Sequence, residues 1–171
     1  MAYTKLTKKL VTAVAVATIL ATTISATASA LSEAQQGVIS QNCATIKQSL
    51  EQLQRSDSRT RTYLGTTYET LANKFIVPLN LRLVKNNLPT FSDIQAEFTS
   101  DQTRFKDAYT DYMKSLGELI ATDCQNKPDE FYDKLGVTRK KREILQKTTK
   151  SLSELTDQQY NATAKLLETL K

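Results

Sequence analysis

The chain has 171 residues, with 23 Lys+Arg against 18 Asp+Glu, a net charge of +5, four Gly, three Pro, two Cys and neither His nor Trp. Without His there is no Ser-His-Asp triad, no Cys-His pair, no His-ligated zinc and no imidazole switch near neutral pH. So few Gly and Pro disfavour a turn-rich β-sandwich, and 40% hydrophobic residues are too many for a fully disordered chain. A single domain of long helices is expected.

The first thirty residues read as an address. Lys5, Lys8 and Lys9 precede an uncharged run over 10–24, and Ala28 and Ala30 occupy the small-residue positions of an A-x-A cleavage site before Leu31. That order is the order of a secretory signal peptide, assigned here to 1–30. The alternative is a retained anchor, because 10–30 carries no charge and is long enough to span a bilayer. Three lysines and no acid fall in the segment, so the chain from Leu31 is nearly balanced and its basicity no longer argues for nucleic acid.

From Leu31 onward the period is helical. Ser32 and Gln35 have capping-box spacing. Ile39, Cys43, Ile46, Leu50 and Leu53 then recur in steps of three and four, as on one face of a coiled coil. The same steps land on polar Asp57 and Thr60 before resuming at Leu64, Tyr68, Leu71 and Phe75. Pro78 cannot donate an amide within a helix, so the first helix is placed at 33–77. After the Asn86-Asn87-Leu88-Pro89 break, Ser92 and Gln95 offer a second capping box. Ile94, Phe98, Phe105, Tyr109, Tyr112, Leu116, Leu119 and Ile120 carry a second helix, 90–126. Pro128, Asp129 and Glu130 suit the positive start of a third, 128–171, whose seam (Phe131, Leu135, Leu145, Leu152, Leu155, Leu166, Leu170) is thinner and predicts a partly frayed tail. The fold class expected is all-α: an elongated antiparallel helical hairpin or coiled coil with a third long helix.

Cys43 and Cys124 are the only cysteines. In an exported chain an even count points to a disulfide; two buried thiols are the alternative. A bridge over so long a loop stabilises by roughly 4–5 kcal/mol in the chain-entropy model. The two sulfurs come level in a hairpin whose connection spans 78–89. A first helix unbroken to Asn86 would put them about nine residues, ~13 Å, out of step.

The sharpest polar cluster is Arg55, Asp57, Arg59 and Arg61, where the apolar seam lapses. Guanidinium forks suit a partner's carboxylates, phosphates or carbonyls. Equally, Asp57 is placed to pair with an Arg in a structural polar layer that fixes register. Arg139-Lys140-Lys141-Arg142 is a candidate contact for an anionic surface, although four consecutive helical residues point all round the axis. The aromatic stripe Phe98, Phe105, Tyr109, Tyr112 reads as a buried helix face or a ligand groove. Asp101, Asp107 and Asp111 match no calcium-loop spacing, and Asn161-Ala162-Thr163 fits a glycosylation sequon. Neither a metal nor another cofactor is expected, and no catalytic residue is assigned.

Several runs resemble uncharacterised exported helical proteins of small-genome, surface-attached bacteria. They are Gln41-Asn42-Cys43 with Ile46-Lys47-Gln48-Ser49-Leu50, Asp57-Ser58-Arg59-Thr60-Arg61 with Tyr63-Leu64-Gly65, the stretch from Pro78 through Asn87, and Ala121-Thr122-Asp123-Cys124. The similarity spans about 41–142 and includes both cysteines, but implies no activity. The function expected is that of an exported, disulfide-stapled, non-enzymatic interaction protein of the envelope or cell surface. Its partner would be an envelope or surface protein or polymer, with membrane contact only through a retained 1–30 segment, and homo-oligomers left open. The alternative is a soluble binder or chaperone that uses the aromatic face for a small or unfolded ligand.

Overall fold

A computed structural model describes residues 31–170. The signal or anchor segment lies outside them. The described residues are all-α: α1 Glu33–Gln41, α2 Cys43–Thr70, a π-helical segment Leu71–Ile76, α3 Val77–Lys85, α4 Ser92–Ala121 and α5 Pro128–Thr169, with no strand among them. The segments α1 to α3 form one limb, α4 runs back along it, and α5 runs back along α4.

Local chemistry sets the limits of these elements. The first capping box forms as the spacing predicts: Gln35 N donates to Ser32 Oγ at 3.3 Å and Ser32 N to Gln35 Oε1 at 3.0 Å. At the far end of the first limb, Leu88 N donates to Leu83 O and Asn87 N to Val84 O, with Asn87 at φ 54°. That is a Schellman ending, and Asn is among the few non-glycine residues that occupy the left-handed conformation readily.

Two expectations fail here for one reason. The first helix does not stop at 77: it passes through Pro78 and continues to Lys85. A proline ring clashes with the carbonyl four residues back and leaves it without a donor. The chain answers by widening one turn, and Val77 N bonds to Ala72 O, five residues back. Widening also moves the seam by one residue. Tyr68, Ala72, Ile76, Asn80 and Leu83 face inward, while Phe75, expected in the seam, is 61% exposed.

The sulfurs nevertheless meet. Cys43 and Cys124 are bonded, with Cα atoms 5.5 Å apart. The 78–89 connection assumed that α4 starts level with the end of the first limb. Instead α3 overshoots that level and the chain folds back beside it, so that Phe91 N donates to Asn80 Oδ1 at 2.8 Å. Asn80 lies level with Phe91, Asp57 with Tyr112 and Cys43 with Cys124, so the register stays close to that of a symmetric hairpin. Asn80 also explains why the second capping box is absent. Its Nδ2 donates to Gln95 Oε1 at 2.6 Å, and Phe91, not Ser92, is the N-cap of α4.

Nor is the third helix a frayed tail, for α5 is the most extensive packing partner of α4. Polar positions in its seam, which look like gaps in the sequence, are paired. Thr138 Oγ1 lies 2.8 Å from Ser115 Oγ, and Ser151 bonds to Asp101, which also accepts from Arg104 Nη1 at 2.8 Å.

Two apolar cores result. One gathers Cys43, Tyr112, Leu116, Leu119, Cys124 and Phe131 around the disulfide. The other gathers Tyr68, Ala72, Ile76, Phe98, Phe105, Leu152 and Leu155, with Tyr68 edge-on to Phe98 and Phe105 at centroid distances of 6.2 and 5.5 Å.

Candidate binding groove

The Arg/Asp cluster lies where the seam turns polar, and helical spacing divides it. Asp57 and Arg61, four residues apart, face the other limbs; Arg55 and Arg59 are exposed. Asp57 Oδ2 accepts from the Tyr112 hydroxyl at 2.6 Å and lies 3.3 Å from Arg142 Nε. The Arg61 guanidinium sits 4.1 Å from the centroid of the Tyr109 ring, a cation–π contact. One polar layer thus ties α2, α4 and α5 together. Burial, then the hydrogen bond to Asp57, hold the Tyr112 hydroxyl well above the usual phenol range, because a phenolate there would be poorly solvated and would repel the carboxylate.

The basic run divides in the same way. Arg139 and Lys140 are exposed, Lys141 is half-buried, and Arg142 turns inward to Asp57. The four do not form one cationic face, and Arg142 belongs to the polar layer. Of the three aspartates on α4, Asp107 and Asp111 are exposed and apart from the buried Asp101. No three Asp, Glu or Cys side chains converge as a metal site among the described residues. Asn161 of the sequon is exposed.

Beside the polar layer opens a groove of about 450 Å³ between α2 and α5. Phe105 and Tyr109 of α4 lie beneath it, buried at 2 and 5% exposure, Leu64 and Leu145 supply its apolar surface, and Thr60, Thr149 and Ser153 line the walls. The Asp57–Arg142 pair adjoins it, and Arg61 and Lys150 stand at its rim. The groove exists because short or polar residues take the places on α2 and α5 where large apolar ones would close a three-helix core. Arg142 is paired with Asp57 and Lys150 lies 3.6 Å from Glu154, so Arg61 is the lining cation without a carboxylate partner among the described residues, and the groove suits a ligand with an apolar body and an acidic or hydrogen-bonding edge. Tyr112 is fully buried and contributes no surface.

Sequence reasoning placed Asp57 in the seam and expected it to pair with an Arg, as it does, but did not single out Arg142 or Tyr112. The signal is in α5: Phe131, Leu135, Thr138, Arg142, Leu145, Thr149 and Leu152 alternate in steps of four and three, and counting only apolar residues hides three of the seven. No protein family, no curated protein and no solved structure matches the chain. No helix among the described residues is long and apolar enough to cross a membrane.

Proposed function

We propose that the protein is an exported, non-enzymatic helical interaction protein of the cell envelope or surface, and that the groove between α2 and α5 receives its partner. The observation that carries this is the Cys43–Cys124 disulfide, which joins the first limb to the turn after α4. Such bridges persist outside reducing compartments, and this one follows a segment with signal-peptide order. The groove supports an interaction role because it combines the half-buried apolar side chains of Leu64 and Leu145 with the Arg61 guanidinium. Membership of a group of exported helical proteins from surface-attached bacteria is part of the same proposal and rests on the sequence runs alone.

The test has two parts. Intact mass of the protein recovered from the envelope or medium should give an N-terminus at Leu31 and two thiols protected from alkylation until reduction. A photo-crosslinking residue at Thr149 should then join one envelope component in intact cells, whereas the same residue at exposed Asp133 should not. A cytoplasmic chain with two alkylated thiols, or equal crosslinking from both positions, refutes the proposal.

A second reading, a binder for a small or unfolded amphipathic ligand, loses the aromatic face it was expected to use, because Phe98, Phe105, Tyr109 and Tyr112 are buried, and rests only on Leu64, Leu145 and Arg61 along the groove. It predicts that an anionic apolar dye binds the protein and that Thr149→Trp, which fills the groove, removes that binding.

A further inference from the structure

We propose that the end of the bundle opposite the disulfide docks on an anionic lipid bilayer. The surface is made by the exposed apolar side chains of Phe75, Leu81 and Val84 together with Lys74, Arg82 and Lys85.

Phe75, Leu81 and Val84 are 61, 66 and 62% exposed, on a segment whose inward face is already occupied by Ile76, Asn80 and Leu83. The inward face is therefore satisfied, and the outward apolar residues are surplus to folding. They do not lie on one side. Leu81 and Val84, three residues apart, share a face of α3, while Phe75 projects from the π-helical segment in another direction. A partner protein would cover one face; a headgroup layer surrounds an inserted tip and reaches both.

Charge supports the same occupant. From Thr70 through Ser92 the only charged residues are Lys74, Arg82 and Lys85. All three are exposed, and none forms an ion pair among the described residues. Of the acids near this end, Glu69 is 3.2 Å from Lys106, Asp93 sits in the first turn of α4, and Glu97 and Asp157 are exposed about level with Phe75, behind Arg82 and Lys85. A second copy packed tip to tip would bring these like charges together across a two-fold axis, which disfavours self-association. An anionic bilayer attracts them and accepts the apolar side chains beneath its headgroups.

The end of α5 adds to the surface. Ser115 pairs with Thr138 and Asp101 with Ser151, so the last turns of α5 extend past the start of α4 toward the same end. Leu167 and Leu170 are exposed there at 57 and 54%, with Lys165 and Glu168 balancing in charge. Membrane contact would thus reside in the folded bundle and not only in residues 1–30.

The chain has no Trp, so Phe75→Trp installs a single reporter. The protein is taken as cells yield it, with its N-terminus read by mass. It is mixed with vesicles of phosphatidylcholine alone or with one third phosphatidylglycerol. Binding should occur on the anionic vesicles, weaken with added salt and blue-shift the indole emission of the Phe75→Trp variant. Neutralising Lys74, Arg82 and Lys85 to Gln should lower partitioning about fivefold per charge. Phe75→Ser/Leu81→Ser/Val84→Ser should abolish it; these side chains are exposed, so circular dichroism and the disulfide should be unchanged. Comparing variants of one chain cancels any contribution from residues 1–30. The proposal is overturned by equal binding to both vesicles, by undiminished binding of the serine variant, or by no spectral shift. It is also overturned by a Leu81-dependent dimer in sedimentation without vesicle binding, which assigns the tip to a second copy. Binding to polyglutamate but not to vesicles has the same force and assigns it to an acidic protein.

Discussion

The two ends of the bundle use the same three limbs to opposite effect. Around the disulfide, Leu116, Leu119 and Cys124 are completely enclosed and Phe131 is 1% exposed. Around the π-helical turn, Phe75, Leu81 and Val84 are more than half exposed. The apolar content is similar; what differs is how many limbs reach the same level. At the stapled end Cys43, the turn after α4 and the first turn of α5 are level, and Gln36 reaches Asp129 at 3.0 Å to bind α1 to α5. At the other end α3 overshoots the start of α4 by more than a turn, and its outward apolar residues are left uncovered. An apolar side chain is buried by what surrounds it, not by its own hydropathy.

The largest effect should come from the staple itself. Replacing both Cys43 and Cys124 with Ala should lower the free energy of unfolding by about 4–5 kcal/mol, read by denaturant titration. Hydrogen exchange should accelerate first around α1 and the turn before α5. A loss below about 1 kcal/mol would mean that packing, not the bridge, holds that end, since engineered and native bridges vary that widely.

The contrast can be drawn with a single residue type. Phe131→Ala should cost about 3–5 kcal/mol, as for other buried aromatics. Phe75→Ala should stay within about 0.5 kcal/mol, as for exposed positions. Comparable losses at the two sites would show that the tip is covered in solution.

The polar layer between the cores should give intermediate values. Asp57→Ala and Tyr112→Phe should each cost about 1.5–3 kcal/mol, the range for hydrogen bonds to a charged group. The double variant should cost less than the sum, because both remove the same bond.

Titration gives smaller effects with a defined sign. The Tyr112 hydroxyl is raised above its unfolded value near 10. Its contribution is complete below about pH 10 and is lost as the pH rises from there toward the folded value. Tyr68, raised by burial, acts in the same direction. Tyr112→Phe should flatten the alkaline slope of stability. At the stapled end, the side-chain hydrogen bond from Asn126 lowers Asp123, and that from Lys134 lowers Glu130. Their contributions are present above about pH 4 and vanish as the pH falls through the lowered values. Both are exposed, so acid should loosen this turn only slightly, which Asn126→Ala and Lys134→Ala should mimic in hydrogen exchange.

Much of this was legible in residue order. Helical period, the capping box at Ser32 and Pro128 at the start of α5 are local, and each acts through neighbours within one turn. The polar interruption at Asp57 and Thr60 was visible as a lapse in the seam. The even cysteine count pointed to the bridge before any geometry did. Ser92 and Gln95 show the limit: their spacing is right for a cap, but Asn80, distant in sequence, already holds Gln95. In α5 a count of apolar residues underrated the helix, because Thr138, Arg142 and Ser151 are held in the seam only by partners on α2 and α4.

The sequence by itself determined an all-helical chain, two cysteines suited to a bridge and the residue level at which the seam turns polar, because period, charge and side-chain chemistry act locally. Only the tertiary structure decided that the chain passes through Pro78 by widening a turn, that Asp57 pairs with Tyr112 and Arg142, and that Phe75, Leu81 and Val84 face outward. Those outcomes depend on which distant side chains arrive at the same level and, at Pro78, on whether the helix ends or widens a turn, a choice that the proline alone leaves open.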